Sequence, residues 1–196
     1  MKLIYSDEYF TSYTDDFIRS EGVIEIELIT NELVILNLDD SIFEKFIFNL
    51  ESYLIENGTS EIIARKFIPN EDFLSICFDS KSFTDDDEFI LIFINKQLKK
   101  IEKAKYIVQY SNWLDYIKNE YINIKNDNLL DVNTNNGYKP LQKSINYTYV
   151  VKEINDNILS LVSTSTGCCN CAEKIEGIVK WKDNNNKLLV DVCVID

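Results

Sequence analysis

The chain has 196 residues, a formal net charge of −13 and an apolar fraction of 45%. A chain of this length and apolar content can bury a hydrophobic core without disulfide or metal support, which argues against a globally disordered protein. Histidine is absent and glycine occurs only five times, so imidazole-based catalysis is excluded, glycine-rich phosphate loops are disfavoured, and we predict that the protein is not an enzyme.

A short strand at 2–6 and then a β-hairpin are the first predicted elements. Residues 24–28 alternate apolar and acidic side chains, which is the period-two pattern of a half-buried strand. Residues 33–38 form a second apolar run, and Thr30 and Asn31 supply turn-forming side chains between the two runs. We therefore predict that the two runs pair as an antiparallel hairpin.

A helix is predicted over residues 42–57. Apolar side chains recur there at spacings of three and four, which places them along one helical face. Ser41 offers an N-cap, and Glu44 stands three residues later in capping-box spacing. Gly58 supplies a residue that commonly ends a helix. The apolar stripe is expected to face the core.

The middle of the chain is predicted to contain strands, a second helix and a long connection. Strands are expected at 61–68, 72–78 and 88–95, with turn-forming or acidic residues between them. Apolar side chains line one face of a predicted helix over 112–124. Residues 125–146 hold six asparagines and are predicted to form a long loop or linker.

The C-terminal region is predicted to form a four-strand antiparallel β-meander. Its strands are expected at 147–154, 158–163, 175–182 and 187–195, joined in part by polar turns. The predicted fold class is therefore α+β, a mostly antiparallel sheet with two main helices, followed by this meander.

The same pattern predicts a division of the chain into three parts. Residues 1–125 are expected to form an acidic α+β domain, residues 126–146 an Asn-rich connection, and residues 147–196 a β-meander subdomain. A sheet of four strands with an apolar face can be stable by itself. The meander is therefore expected either to stand alone or to pack with the rest into one domain.

Acidic side chains are concentrated towards the N-terminus. Residues 1–90 carry 21 acidic and 6 basic side chains, a net charge of −15, whereas the remaining 106 residues sum to +2. One interpretation is a solvated acidic half. The other is a docking surface for a basic protein, to which tyrosines add contact area. The second interpretation predicts these partner-binding residues: Asp7, Glu8, Tyr9, Tyr13, Asp15, Asp16, Asp39, Asp40, Asp85, Asp86, Asp87 and Glu88.

Most of the cysteines lie near the C-terminus. Cys168 and Cys171 have C-x-x-C spacing, and Cys193 follows in a predicted strand. These three, with Cys169 or Cys77, could complete a four-thiolate zinc site, and a redox disulfide is a second option. Because half of the zinc signature is missing, small buried cysteines in a reducing cytoplasm are the favoured interpretation, and no cofactor is predicted.

These features predict an acidic binding or inhibitor protein in the cytoplasm. A nuclease-type toxin must be basic to bind nucleic acid, so an acidic immunity protein that masks such a secreted toxin domain fits the charge best. The alternatives are a nucleic-acid mimic directed against a defence protein and a small zinc protein built on the cysteine cluster. An acidic chain is not expected to bind nucleic acid directly. Neither a signal peptide nor a membrane-spanning segment is expected from the sequence.

Overall fold

The structure of the protein, a computed structural model, is mostly β. It describes residues 16–49, 51, 54–57, 62, 64–69, 74–125, 130–134, 137–140, 148–164 and 175–193. Strands account for 61% of the described residues, and one α-helix occurs among them. The strands form two antiparallel sheets. The predicted α+β class with two main helices is therefore wrong.

The chain folds as two compact units. Arg19–Asn112 form the first unit, and Asp16–Ile18 belong with the described residues from Trp113 onwards to the second. The strands of the first unit are β1 (Gly22–Leu28), β2 (Glu32–Leu36), β3 (Ile42–Asn49), β4 (Leu54–Asn57), β5 (Lys66–Pro69), β6 (Leu74–Ser80), β7 (Phe89–Ile94), β8 (Gln97–Glu102) and β9 (Tyr106–Asn112). They pair in the order β4-β3-β2-β8-β7-β6-β1-β9, and β5 pairs with β6.

Alternate side chains of these strands build one hydrophobic core. In β1, for example, Ile24 and Ile26 are buried and Glu25 between them is exposed. Phe46 and Phe67 are buried and meet edge to face, with their ring centroids 5.3 Å apart. Burial of one such ring contributes about 1.5–3 kcal/mol. The period-two pattern therefore fixes which face of each strand points to the core.

β1 and β2 confirm the strands predicted at 24–28 and 33–38, but the predicted hairpin pairing is wrong. In the described ladders β1 pairs with β6 and β9, whereas β2 pairs with β3 and β8. An alternating pattern shows which face of a strand is buried, but it does not identify the neighbouring strand. The residues between β1 and β2 therefore connect two strands that lie apart in the sheet order.

The helix predicted over 42–57 is also wrong, because β3 and β4 occupy this segment and pair with each other. The pattern at spacings of three and four coexists with a period-two pattern, and β-branched and aromatic side chains favour the strand. The hydroxyl and N–H of Ser41 donate hydrogen bonds to the carboxylate of Asp39, so Ser41, predicted to cap a helix, stabilises a turn instead. The buried positions of β3 alternate: Glu44, Phe46 and Phe48.

The second unit contains the α-helix and the second sheet. Its elements are α1 (Trp113–Asn119), β10 (Tyr121–Ile124), β11 (Asp131–Thr134), β12 (Gly137–Pro140), β13 (Tyr149–Asn155), β14 (Ile158–Ser163), β15 (Glu176–Lys180) and β16 (Val190–Cys193). The strand order is β12-β11-β15-β14-β13-β10-β16. α1 packs against β13 and buries Trp113 and Tyr116, whose rings meet edge to face.

Three predictions for this unit need correction. The segment 125–146, predicted to be a long loop or linker, contains β11 and β12, which pair as an antiparallel ladder. The helix predicted over 112–124 gives way to the seven-residue α1 followed by β10. In the predicted meander, β13, β14 and β15 do pair in succession, but β16 pairs with β10 and β15 has β11 as its other neighbour. The pairings of β16 with β10 and of β15 with β11 therefore join strands that are distant in the sequence, in place of the neighbouring strands that a meander would pair. Across the described ranges, no helix is long and apolar enough to cross a membrane.

Candidate functional site

The turn between β2 and β3 is held together by its own polar groups. The backbone N–H of Asn37 donates to the carbonyl of Ser41 at 2.8 Å, and the Asn37 side-chain amide donates to the Ser41 hydroxyl at 3.0 Å. The carboxylate of Asp39 accepts from the Ser41 hydroxyl at 2.6 Å and from the Ser41 N–H at 3.1 Å. These bonds, the hydroxyl bond first, hold the pKa of Asp39 below its usual range, so this carboxylate stays ionised.

The same turn exposes two acidic and two aliphatic side chains. Asp39 faces solvent, and the side chain of Asp40 is 73% exposed. Leu38 is 54% exposed and Ile42 is 64% exposed, unlike the buried aliphatic side chains of β2. Asp40 has a φ of 70°, in the left-handed region that residues other than glycine rarely adopt. The turn therefore has a specific conformation that places charge beside apolar surface.

The loop between β6 and β7 is the second acidic segment. The carboxylate of Asp87 accepts from the N–H of Thr84 at 2.7 Å and from its hydroxyl at 2.9 Å. These two bonds, the backbone bond first, lower the pKa of Asp87 from its usual range. The four consecutive acids of this loop are all exposed: Asp85, Asp86, Asp87 and Glu88.

Lys100 in β8 and Lys103, directly after β8, each contact one of the two acidic segments. Lys100 Nζ lies 2.5 Å from the Asp40 carboxylate and 3.2 Å from the carbonyl oxygen of Leu38. Lys103 Nζ lies 3.1 Å from the carbonyl oxygen of Asp85 and 3.4 Å from its carboxylate. Leu36 at the end of β2 pairs with Lys100, and Phe89 at the start of β7 pairs with Glu102, so both segments adjoin the C-terminal end of β8. Residues 37–42 and 84–88 are named the acidic rim below.

The acidic rim presents negative charge outwards and covers positive charge beneath. The side chain of Lys100 is only 11% exposed, and its Nζ lies 4.3 Å from the centroid of the Phe89 ring. The Lys103 side chain is 22% exposed, while that of Asp85 is fully exposed. Ion pairs whose carboxylates are as solvent-exposed as those of Asp40 and Asp85 contribute roughly 0–1 kcal/mol each to stability. Their main effect here is therefore to position the two loops.

Comparisons of the chain with models of protein families, with curated proteins and with solved structures found no match. The proposal for its function therefore rests on the chemistry of its own residues. Asp39 and Asp87 accept hydrogen bonds from Ser41 and Thr84, which lower the pKa of each carboxyl. They are poor general acids at neutral pH, because they hold no proton to donate. Exposed carboxylates beside aliphatic side chains are suited to contact with a protein surface.

The structure brings together half of the predicted partner-binding residues, namely Asp39, Asp40, Asp85, Asp86, Asp87 and Glu88. Asp16 instead belongs to the second unit, where its carboxylate pairs with Lys125 and lies 3.9 Å from Lys187 Nζ. The other predicted residues lie outside the described ranges: Asp7, Glu8, Tyr9, Tyr13 and Asp15. The acidic rim therefore contains the predicted residues that lie within the described part of the first unit.

The predicted metal ligands contribute no described site. Cys168 and Cys171 lie outside the described residues, and Cys193 is placed by its backbone in β16, opposite Tyr121 of β10. Within the described ranges, no group of three or more His, Cys, Asp or Glu side chains is arranged to hold a metal ion. The zinc alternative stays a prediction.

The predicted site residues did not include the exposed Leu38 and Ile42 of the acidic rim or the lysines beneath it, Lys100 and Lys103. In the sequence, Leu38 ends an apolar run predicted as a strand, and Ile42 opens an apparent helical stripe that was expected to face the core. The lysines form the basic stretch that follows the acidic loop, and this change of sign is the signal that would have indicated an intramolecular pairing.

Proposed function

We propose that this protein is a cytoplasmic binding protein that masks a basic partner, as an immunity protein neutralising a nuclease-type bacterial toxin. The convergence of the two acidic loops on Lys100 and Lys103 is the observation that carries this proposal. It gathers carboxylates from distant parts of the sequence on one surface of the first unit. No catalytic role is included in the proposal.

Electrostatic complementarity is the physical basis of this function. A protein that binds nucleic acid contacts phosphates with clustered lysine and arginine side chains. A surface of opposite charge accelerates association with such a protein and covers the same cations. The rim carboxylates of Asp39 and Asp87 are ionised at physiological pH, as aspartates ordinarily are, and their hydrogen bonds to Ser41 and Thr84 lower the pKa of each further.

A nucleic-acid mimic is the alternative with the same charge logic. Mimicry requires acids spaced like phosphates along an extended surface. The rim acids are instead grouped in two short loops, and Leu38 and Ile42 are exposed within one of them. Aliphatic side chains suit a protein interface better than an imitation of the phosphate backbone, which supports the immunity proposal over mimicry.

Co-expression tests the proposed function directly. The chain would be expressed with each basic toxin domain encoded in the same genome, and growth would be compared with that of cells expressing the toxin alone. We expect protection from one toxin, reduced by the double variant Asp86→Asn and Glu88→Gln. The control, Glu27→Gln with Glu153→Gln, removes two exposed acids outside the rim. Absence of protection by the unaltered chain against every such toxin would contradict the proposal.

A further inference from the structure

We propose that Leu38 and Ile42 are the apolar anchor of the docking surface, and that they contact an apolar site bordered by lysine or arginine side chains on the partner. This inference rests on the proposed function, because it takes the partner to be basic. It adds the short-range contact that electrostatic attraction alone does not provide. Long-range charge mainly raises association rates, whereas buried apolar contacts mainly slow dissociation.

The exposure of the two side chains is the first argument. Leu38 is 54% exposed and Ile42 is 64% exposed, and both border the same short turn. Single exposed aliphatic residues are common on protein surfaces and need no partner. Here two of them flank the exposed Asp39 and Asp40 in sequence, so one short turn carries two aliphatic and two acidic exposed side chains.

The rigidity of the turn is the second argument. Two bonds between Asn37 and Ser41 close its base, and Lys99 Nζ lies 2.6 Å from the side-chain oxygen of Asn37. Lys100 Nζ is 3.2 Å from the carbonyl oxygen of Leu38, so the backbone that carries the anchor is held from below. A preorganised surface loses little conformational entropy on binding, which makes its exposed apolar area effective.

The negative charge of the turn determines which kind of partner surface can cover Leu38 and Ile42. Asp39 and Asp40 lie in sequence between the two aliphatic residues, so any protein that covers Leu38 and Ile42 approaches both carboxylates. Partner cations beside the apolar site would compensate the charge of Asp39 and would share the Asp40 carboxylate with Lys100. A second copy of this chain fits poorly, because a symmetric contact through the turn would set the same acids against one another.

Selection from a random peptide library on the immobilised full chain tests the anchor. We expect selected peptides to combine Lys or Arg with adjacent aliphatic or aromatic residues. For a selected peptide, Leu38→Ser with Ile42→Ser should raise Kd by about 10-fold or more, the effect expected of a hot spot. The matched control is Ile107→Ser, which alters an isoleucine of β9 that is 56% exposed. It should leave Kd unchanged, and circular dichroism should show all variants folded.

The charge variant Asp39→Asn with Asp40→Asn separates this inference from the proposed function. It should weaken peptide binding and reduce its salt dependence. If this variant weakens binding but the aliphatic variant does not, the anchor is wrong and the acidic docking surface stands. If the selected peptides lack basic residues, both are contradicted. Sedimentation of the chain alone should show a monomer, and a dimer abolished by the aliphatic variant would overturn the assignment to a basic partner.

Discussion

The phenol oxygen of Tyr106 accepts a hydrogen bond from the backbone N–H of Val34 at 2.8 Å and donates one to the carbonyl of the same residue at 3.4 Å. Tyr106 begins β9 and Val34 lies in β2, two strands that stand far apart in the sheet order. β2 shares one ladder pair with β8, Leu36 with Lys100. The side chain of Tyr106 therefore satisfies the backbone N–H and carbonyl of Val34, close to the single ladder pair that joins β2 to β8.

Loss of the Tyr106 hydroxyl should destabilise the first unit. Burial raises the pKa of Tyr106, which keeps the phenol protonated and able to donate. Tyr106→Phe is expected to lower the free energy of unfolding by about 1–2 kcal/mol, because it leaves partly buried backbone groups of Val34 without this partner. Urea denaturation measures the change. Tyr110→Phe, in the same strand, is the control, and an equal loss in both variants would contradict this role.

A buried ion pair should contribute far more than a surface pair. Arg65 Nε and Nη2 lie 2.8 and 2.9 Å from the two carboxylate oxygens of Asp79, and the exposed fractions of these side chains are 5% and 4%. Asp79→Asn should cost about 3–5 kcal/mol, because it leaves a buried guanidinium uncompensated. The control Glu32→Gln breaks a half-exposed pair with Lys45 and should cost at most about 1 kcal/mol. Similar losses in both variants, measured by denaturant unfolding, would refute the distinction.

Gly22 is required by the close approach of β1 and β9. A Cβ at this position would overlap the carbonyl oxygen of Ser111 and would lie 2.7 Å from the ring of Tyr110. The Tyr110 ring can move, but the backbone of Ser111 is part of the ladder with β1. We expect Gly22→Ala to lower the free energy of unfolding by about 1–3 kcal/mol. Thermal unfolding measures this, and an unchanged Tm would show that the strands can separate without cost.

Stability should fall on acidification through the aspartate range. The folded pKa values of Asp39 and Asp87 lie below their ordinary values, so the unfolded chain takes up protons first as the pH falls. The stabilisation is thus complete above the ordinary aspartate pKa and is lost as the pH falls through the folded values. Ser41→Ala removes the hydroxyl bond, which is the larger cause of the lowered Asp39 pKa, and leaves the backbone N–H bond in place, so it should flatten part of this dependence. Urea midpoints between roughly pH 7 and pH 3 measure the slope, and a slope unchanged in the variant would contradict the assignment.

Local periodicity was a good guide to single strands and a poor guide to their partners. Strands predicted at 24–28, 72–78, 88–95 and 158–163 correspond to β1, β6, β7 and β14. The error at 42–57 has a local cause, since one apolar pattern satisfies both a helical and a strand period over a short segment. The bonds between Asp39 and Ser41 then serve a turn where a helix cap was expected.

The sequence by itself determined the excess of acid before residue 90, the absence of imidazole chemistry and the faces that strands bury, because these depend on composition and on side chains close in the chain. Only the tertiary structure decided that Asp40 and Asp85 converge on neighbouring lysines, and that Leu38 and Ile42 stay exposed beside them. Those contacts depend on which strands pair, and pairing is set by the packing of the whole sheet, which no local pattern specifies.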